Sequence, residues 1–230
     1  MPGGSHGCTL PCTPATGATL QHSLPAVLKI RKFPIMTRVR TSPRRRILGP
    51  RTTRAGAEPS RGDMIRVSEI DKEDAGQLCH AFLGTAWERP LNHFDGLLAE
   101  HESGLRTVLV ARLDNQLAGH ASIFWKPAYP YFRSHGIPEI QDLNVVPRLR
   151  RRRVASRLLD EAEKRVSGSY SQVGISFGLH PGYGAAQRLY VMRGYVPDGQ
   201  GVFRRDRFPG EAETVVLDDH LLLHLVKNLR

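Results

Sequence analysis

The chain has 230 residues, 40% hydrophobic and 24% charged, and a formal net charge of +11. That length and balance suit one globular domain plus an additional segment, and no run of about 18 apolar residues is present to read as a membrane-spanning helix. Three cysteines, Cys8, Cys12 and Cys79, are too few and odd in number for a disulfide framework, so a reducing, cytoplasmic setting is expected.

Residues 1–63 carry 11 of the 33 Lys and Arg, but only Glu58 and Asp63 among the 22 acids. Most of the positive excess therefore sits there, and the remainder is nearly neutral. The stretch is rich in Gly, Pro, Ser, Thr and Arg and shows no sustained periodicity. It buries too little apolar surface to offset chain entropy and is expected to be a disordered basic extension. It reads as a basic arm for nucleic acid or an acidic partner, as an Arg-rich targeting segment, or as sequence upstream of a true start at Met64 or Met36. The last is favoured, because regular patterning begins at Met64. Cys8 and Cys12 lack a second pair at zinc spacing, and no metal is expected.

Ile65, Val67 and Ile70 suggest a first strand. Asp71 to Leu83 reads as an amphipathic helix with Ala75, Leu78, Cys79 and Phe82 on one face. Pro90 to His101 is a second helix entered through proline. Thr107 to Leu113 and Gln116 to Trp125 form a hairpin about Asp114-Asn115. Pro127 to Pro138 is a loop, and Glu139 to Val146 alternates as a strand. Arg150 to Val166 is a strong helix. Gln172 to Leu179 is a strand, and Tyr183 to Arg193 is a helix stopped by Gly194. Val215 to Val226 is a closing strand, with a further short strand near Tyr195. The class is α/β, a mixed sheet with helices on its faces rather than an all-parallel doubly wound fold.

The informative block runs from Gln141 to Leu159. A strand ends at Pro147, a short loop follows, and a helix begins. The amides at a helix start point to solvent, and the helix dipole adds partial positive charge, so a phosphate or pyrophosphate fits there. Arg148, Arg150, Arg151, Arg152 and Arg153 add charge at the same spot. The run also fits a basic nucleic-acid strip, but it has no interleaved aromatics.

This block resembles the GNAT superfamily of acyl-CoA-dependent N-acetyltransferases. The family's Arg/Gln-x-x-Gly-x-Gly/Ala motif falls on Arg150, Arg151, Arg152, Arg153, Val154 and Ala155. A second pattern, Asn-x-x-Ala-x-x-Leu-Tyr-x-x-x-Gly-Phe/Tyr, falls on Tyr183, Ala186, Leu189, Tyr190, Gly194 and Tyr195. Arg153 stands where the family has glycine, and Tyr183 where it has asparagine. The resemblance covers residues 64 to 230 and implies a GNAT-like fold: a central mixed sheet flanked by helices.

The resemblance also implies acetyl-CoA as cosubstrate and a small-molecule or protein amine as acceptor. Pyrophosphate would lie on Arg150 to Ser156, with the pantetheine arm along Leu143, Val145 and Val146 and near Tyr183 and Ala186. Tyr190 is the implied acid beside the sulfur, and it fits equally a core tyrosine. A base is expected on the Glu139 strand. Glu139 is the first candidate and Asp142 the second, and alternation sends these two side chains to opposite faces. Asp218-Asp219 could attract a cationic amine, and Trp87, Trp125, Tyr129, Tyr131 and Phe132 could line an acceptor pocket or the core. His220 and His224 read as structural or surface residues on the last strand. No membrane or nucleic-acid partner is expected, and a homodimer is left open. The rival readings are a CoA-binding module without turnover and a nucleic-acid-binding protein driven by residues 1–63.

Overall fold

The computed structural model describes residues 64–229, so the expectations for residues 1–63 lie outside the described residues. The elements in chain order are β1 (Ile65–Glu69), α1 (Asp74–Phe82), α2 (Leu91–Glu102), β2 (Arg106–Leu113), β3 (Gln116–Phe124), α3 (Pro130–His135), β4 (Glu139–Val145), α4 (Val154–Ser167), β5 (Gln172–Gly178), α5 (Gly184–Met192), β6 (Val196–Arg204) and β7 (Leu221–Asn228). The strands form one mixed sheet in the order β1-β2-β3-β4-β5-β7-β6. Every neighbouring pair is antiparallel except β4 and β5.

The core follows from sequence spacing. β2 carries the consecutive apolar run Val108-Leu109-Val110-Ala111, all fully buried, as a strand covered on both faces requires. Helix α4 turns Val154, Leu158, Leu159, Ala162 and Val166 inward at three- and four-residue spacing and packs across the sheet. Each buried leucine there stabilises the fold by about 1.5–3 kcal/mol. Helices α1 and α2 pack on each other and on β2 and β3. The end of α5 is set by Gly194, whose φ of 86° is the left-handed conformation glycine adopts without a Cβ clash. Its amide reaches Val191 O and that of Tyr195 reaches Tyr190 O, the paired bonds of a Schellman cap.

Several boundaries differ from the sequence reading. The helix expected from Arg150 begins at Val154 instead, because Arg151 and Arg153 adopt positive φ, and residues 147–149 form a single 3-10 turn. The segment from Pro127 to Pro138 contains the short helix α3, entered by Pro130 and closed by Gly136 in the left-handed region. The helix expected from Tyr183 is a 3-10 turn, Pro181–Tyr183, followed by α5. The strand expected from Val215 begins at Leu221, since Val216 and Leu217 are exposed. His220 therefore sits in the preceding turn, while His224 is on β7. The short strand near Tyr195 is the nine-residue β6, whose pairing with β7 slips between Pro197 and Val202. Among the described residues no helix is long and apolar enough to cross a membrane.

Candidate functional site

The site originates in a pairing failure. β4 and β5 pair at only two positions, Glu139 with Gly174 and Ile140 with Ile175, and beyond these no pairing joins them. A bulge in β4 accompanies the parting: on β3 only Ala121 stands between the partners of Gln141 and Asn144, opposite Asp142 and Leu143, and Asp142 has φ of 54°. Gly119 makes this close approach possible, since a Cβ there would lie 2.3 Å from Asn144 O. Val146 N–H donates to Ala118 O at 2.9 Å. Alternation then turns the amides of Leu143 and Val145 away from β3, into the gap. The Val146 amide, expected to serve a ligand, is instead committed to the sheet, and the residue is buried away from the cleft wall.

Beside the gap stands the start of α4. Its N-cap residue Arg153 has φ of 65°, and among the described residues no side chain caps the helix. The first intrahelical bond runs from Arg157 N–H to Arg153 O. The amides of Val154, Ala155 and Ser156 precede that first bond, the arrangement that binds anions. Arg150, Arg151 and Arg153 line the same cleft, and Arg150 Nε reaches back to Val145 O at 3.2 Å. Arg152 does not join them. It lies off the cleft wall, with its guanidinium 3.5 Å from Asp114.

The gap opens into a cleft of about 1170 Å³. On its wall Glu139 is almost wholly buried, at 1% exposure. Gln141 Nε2 donates to its Oε2 at 2.7 Å, and Ser176 Oγ donates to Oε1 at 3.2 Å. Burial raises the carboxyl to about 7, against the opposing pull of those two donors. His224, paired with Ser176 across β5 and β7, brings Nε2 to 3.9 Å from Oε1. Burial lowers His224 to about 4, so near pH 6 both groups are mainly neutral and their approach is not an ion pair. Tyr129 stacks on the His224 ring at 3.6 Å and donates its hydroxyl to Asp198 at 2.7 Å.

Asp142 is exposed and held 3.1 Å from Arg106, whereas Glu139 bonds Gln141 and Ser176. Both carboxylates nevertheless line the cleft, against the expectation that they point to opposite faces, because the bulge at Asp142 breaks the strict alternation. Across the cleft, Tyr183 and Ala186 form part of the wall, with Tyr190 beside them. Tyr190 is 5% exposed and packs near Phe177 and Tyr195. Burial, then Tyr183, pushes its hydroxyl above the usual tyrosine range. Burial and Asp219 push Tyr183 up to about 12. Asp219 lies 2.8 Å from His180 and is held below the usual carboxylate range mainly by that hydrogen bond.

Of the aromatics considered for an acceptor pocket, Trp87 and Tyr129 line the cleft. Phe132 is fully buried, Trp125 stacks on Tyr170, and Tyr131 lies tilted against the His135 ring. Sequence reasoning missed Gln141, Ser176 and His224 as partners of Glu139, because no local signal tells which strands become neighbours. Among the described residues no group of three or more His, Cys, Asp and Glu is arranged to hold a metal ion.

Comparisons with known proteins agree with this architecture. No curated protein matches the sequence. A GNAT-family protein from Desulfovibrio desulfuricans is 15% identical, with a TM-score of 0.56 over 73% of this chain and 100% of that one. The yncA protein of Salmonella typhimurium, solved with its cofactor acetyl-CoA, is 19% identical, with a TM-score of 0.52 over 72% and 94%. A Salmonella typhimurium acetyl transferase that modifies the N-terminal serine of ribosomal protein L7/L12 is 14% identical, with a TM-score of 0.54 over 71% and 94%. The model of the acetyltransferase (GNAT) family matches residues 70–195, more than half of the sequence. On that match, with the parted strands and the arginine loop inside it, the chain belongs to the GNAT acetyltransferase family.

Proposed function

We propose that the chain is an N-acetyltransferase that moves an acetyl group from acetyl-CoA to a primary amine of a small molecule or a protein, and that residues 64–230 carry the activity. The observation that carries this reading is the parting of β4 and β5 beside the uncapped start of α4. The residues present fit the cofactor. The amides of Val154, Ala155 and Ser156, with Arg150, Arg151 and Arg153, suit a pyrophosphate. The gap-facing amides of Leu143 and Val145 suit an amide-bearing arm that adds to β4 as a further strand would. Tyr183 and Ala186 supply the opposite wall.

Acetyl-CoA, when bound, supplies a thioester whose acyl carbon accepts an amine. Glu139 is the base. With a carboxyl near 7 it is substantially ionised at neutral pH, yet basic enough to take a proton. Gln141 and Ser176 fix its two oxygens. Tyr190 Oη keeps its proton throughout the physiological range and is the group to release it toward the departing sulfur. The neighbours solved with acetyl-CoA or described as modifying an N-terminal serine support the same cofactor and an amine acceptor.

The test is acetyl transfer by the full chain to a panel of amines, polyamines, aminoglycosides and peptides, followed by release of free CoA thiol. Amine-dependent thiol release is expected. Acetyl-CoA binding without release on any amine would support the silent module instead.

A further inference from the structure

Among the described residues six arginines line the cleft: Arg89, Arg150, Arg151, Arg153, Arg188 and Arg205. Among the described residues none of them has a carboxylate partner; off the cleft wall Arg106, Arg112, Arg193, Arg204 and Arg207 are each paired with an acid, while Arg66, Arg133, Arg148 and Arg157 are not. The cleft's own acids do not balance them. Asp142 is engaged by Arg106, Asp219 by His180, and Glu139 lies buried between Gln141 and Ser176.

CoA brings two diester-type phosphates and one terminal phosphate, about four negative charges near neutral pH. Four arginines suffice to meet them, and four stand on the elements that carry the cofactor cradle. Arg150, Arg151 and Arg153 are on the loop before α4, and Arg188 is on α5. Arg89 and Arg205 remain. They come from other parts of the chain, the connection from α1 to α2 and the connection from β6 to β7. Each brings an aromatic neighbour to the wall, Trp87 with Arg89 and Phe203 with Arg205.

We propose that the acceptor is a primary amine that also carries an anionic group, such as a carboxylate, and that Arg89 and Arg205 receive that group while the amine faces Glu139. This inference rests on the acetyltransferase reading above and narrows its acceptor. Polyamines and aminoglycosides, which present only cations, are the wrong substrates for such a cleft. A charge-assisted bond to a guanidinium changes affinity by about tenfold or more.

The experiment compares matched amines on the full chain: an aromatic amino acid, its carboxamide and its decarboxylated amine. The wild type should favour the carboxylate form by at least about tenfold in kcat/KM. The double variant Arg89→Glu/Arg205→Glu should abolish that preference while acetyl-CoA affinity, measured by calorimetry, changes less than about twofold. Equal or better use of the decarboxylated amine by the wild type would overturn the proposal and leave the acetyltransferase reading intact. A fall in acetyl-CoA affinity matching the fall in kcat/KM would also overturn it, by showing that these arginines serve the cofactor phosphates. Absence of transfer to every amine would remove both readings together.

Discussion

Ser176 Oγ donates to Glu139 Oε1 at 3.2 Å, one residue past the last position at which β5 pairs with β4. The two strands part there, yet this side-chain bond still ties them at the base of the gap. A carboxyl held so, with Gln141 on its other oxygen, is both buried and oriented. Burial without a cationic partner raises its pKa, and the two donors limit the rise.

Replacing that carboxyl separates chemistry from binding. Glu139→Gln is expected to lower kcat by roughly 10²–10⁴-fold, the range for loss of a general base, with acetyl-CoA affinity nearly unchanged. In the wild type, kcat/KM should rise with pH through an apparent pKa near 7 and then level. Steady-state kinetics across pH 5–9, beside calorimetry, checks both points.

The same residue gives a stability signature with a definite sign. Its folded pKa, about 7, lies above the ordinary value of 4.5. Stability is therefore greatest below about 4.5 and is lost as pH rises toward 7, because the unfolded chain ionises first. Glu139→Gln removes that loss, so it should stabilise the protein at pH 8 by on the order of 3 kcal/mol relative to its effect at pH 4. His120 and His224, both lowered to about 4 by burial, act oppositely. Their contribution is present above about 6.5 and fades as pH falls toward 4. Thermal melts of wild type and variant at the two pH values test the sign.

Tyr190→Phe should cost turnover more than cofactor affinity. Among the described residues its hydroxyl has no hydrogen-bond partner, so removing it leaves no orphaned group behind. We expect kcat to fall about tenfold or more with the acetyl-CoA Kd within about twofold. Equal losses in both would assign Tyr190 to the wall alone.

Arg153 holds a left-handed backbone at φ of 65°, a conformation that costs an L-residue roughly 1–2 kcal/mol. Arg153→Gly removes that cost but gains flexibility in the unfolded chain, for a net stabilisation of about 0.5–1 kcal/mol. The amides that meet the pyrophosphate remain. Acetyl-CoA affinity should fall by about tenfold, because one of the four guanidiniums that meet the cofactor's phosphates is lost, and an unchanged affinity would leave that phosphate to the amides alone.

Much of this was legible in the sequence. The Asp114-Asn115 hairpin, the apolar stripe of α4 and the stop at Gly194 are local signals, and local signals survive folding. Pro130 and Gly136, which bracket α3, carry such a signal too, but six residues are too few for helical periodicity to stand out within a proline-rich stretch. The β4 bulge, the parting from β5 and the meeting of Glu139, Ser176 and His224 were not legible. They depend on which strands become neighbours, and that is settled by packing across the whole sheet.

The bulge offers its own test. At Gly119 a Cβ would meet the backbone oxygen of Asn144, which cannot rotate aside. Gly119→Ala should destabilise the protein by about 1–3 kcal/mol and weaken acetyl-CoA binding, because the bulge turns the Leu143 and Val145 amides into the gap. Chemical denaturation and calorimetry on the one variant check both effects.

The most direct test of the account is calorimetric titration of the full chain with acetyl-CoA, on wild type and on Arg150→Glu/Arg151→Glu. The account predicts one-site binding by the wild type, weakened at least about tenfold in a variant of unchanged melting temperature. No binding by the wild type, or equal binding by the variant, would contradict it.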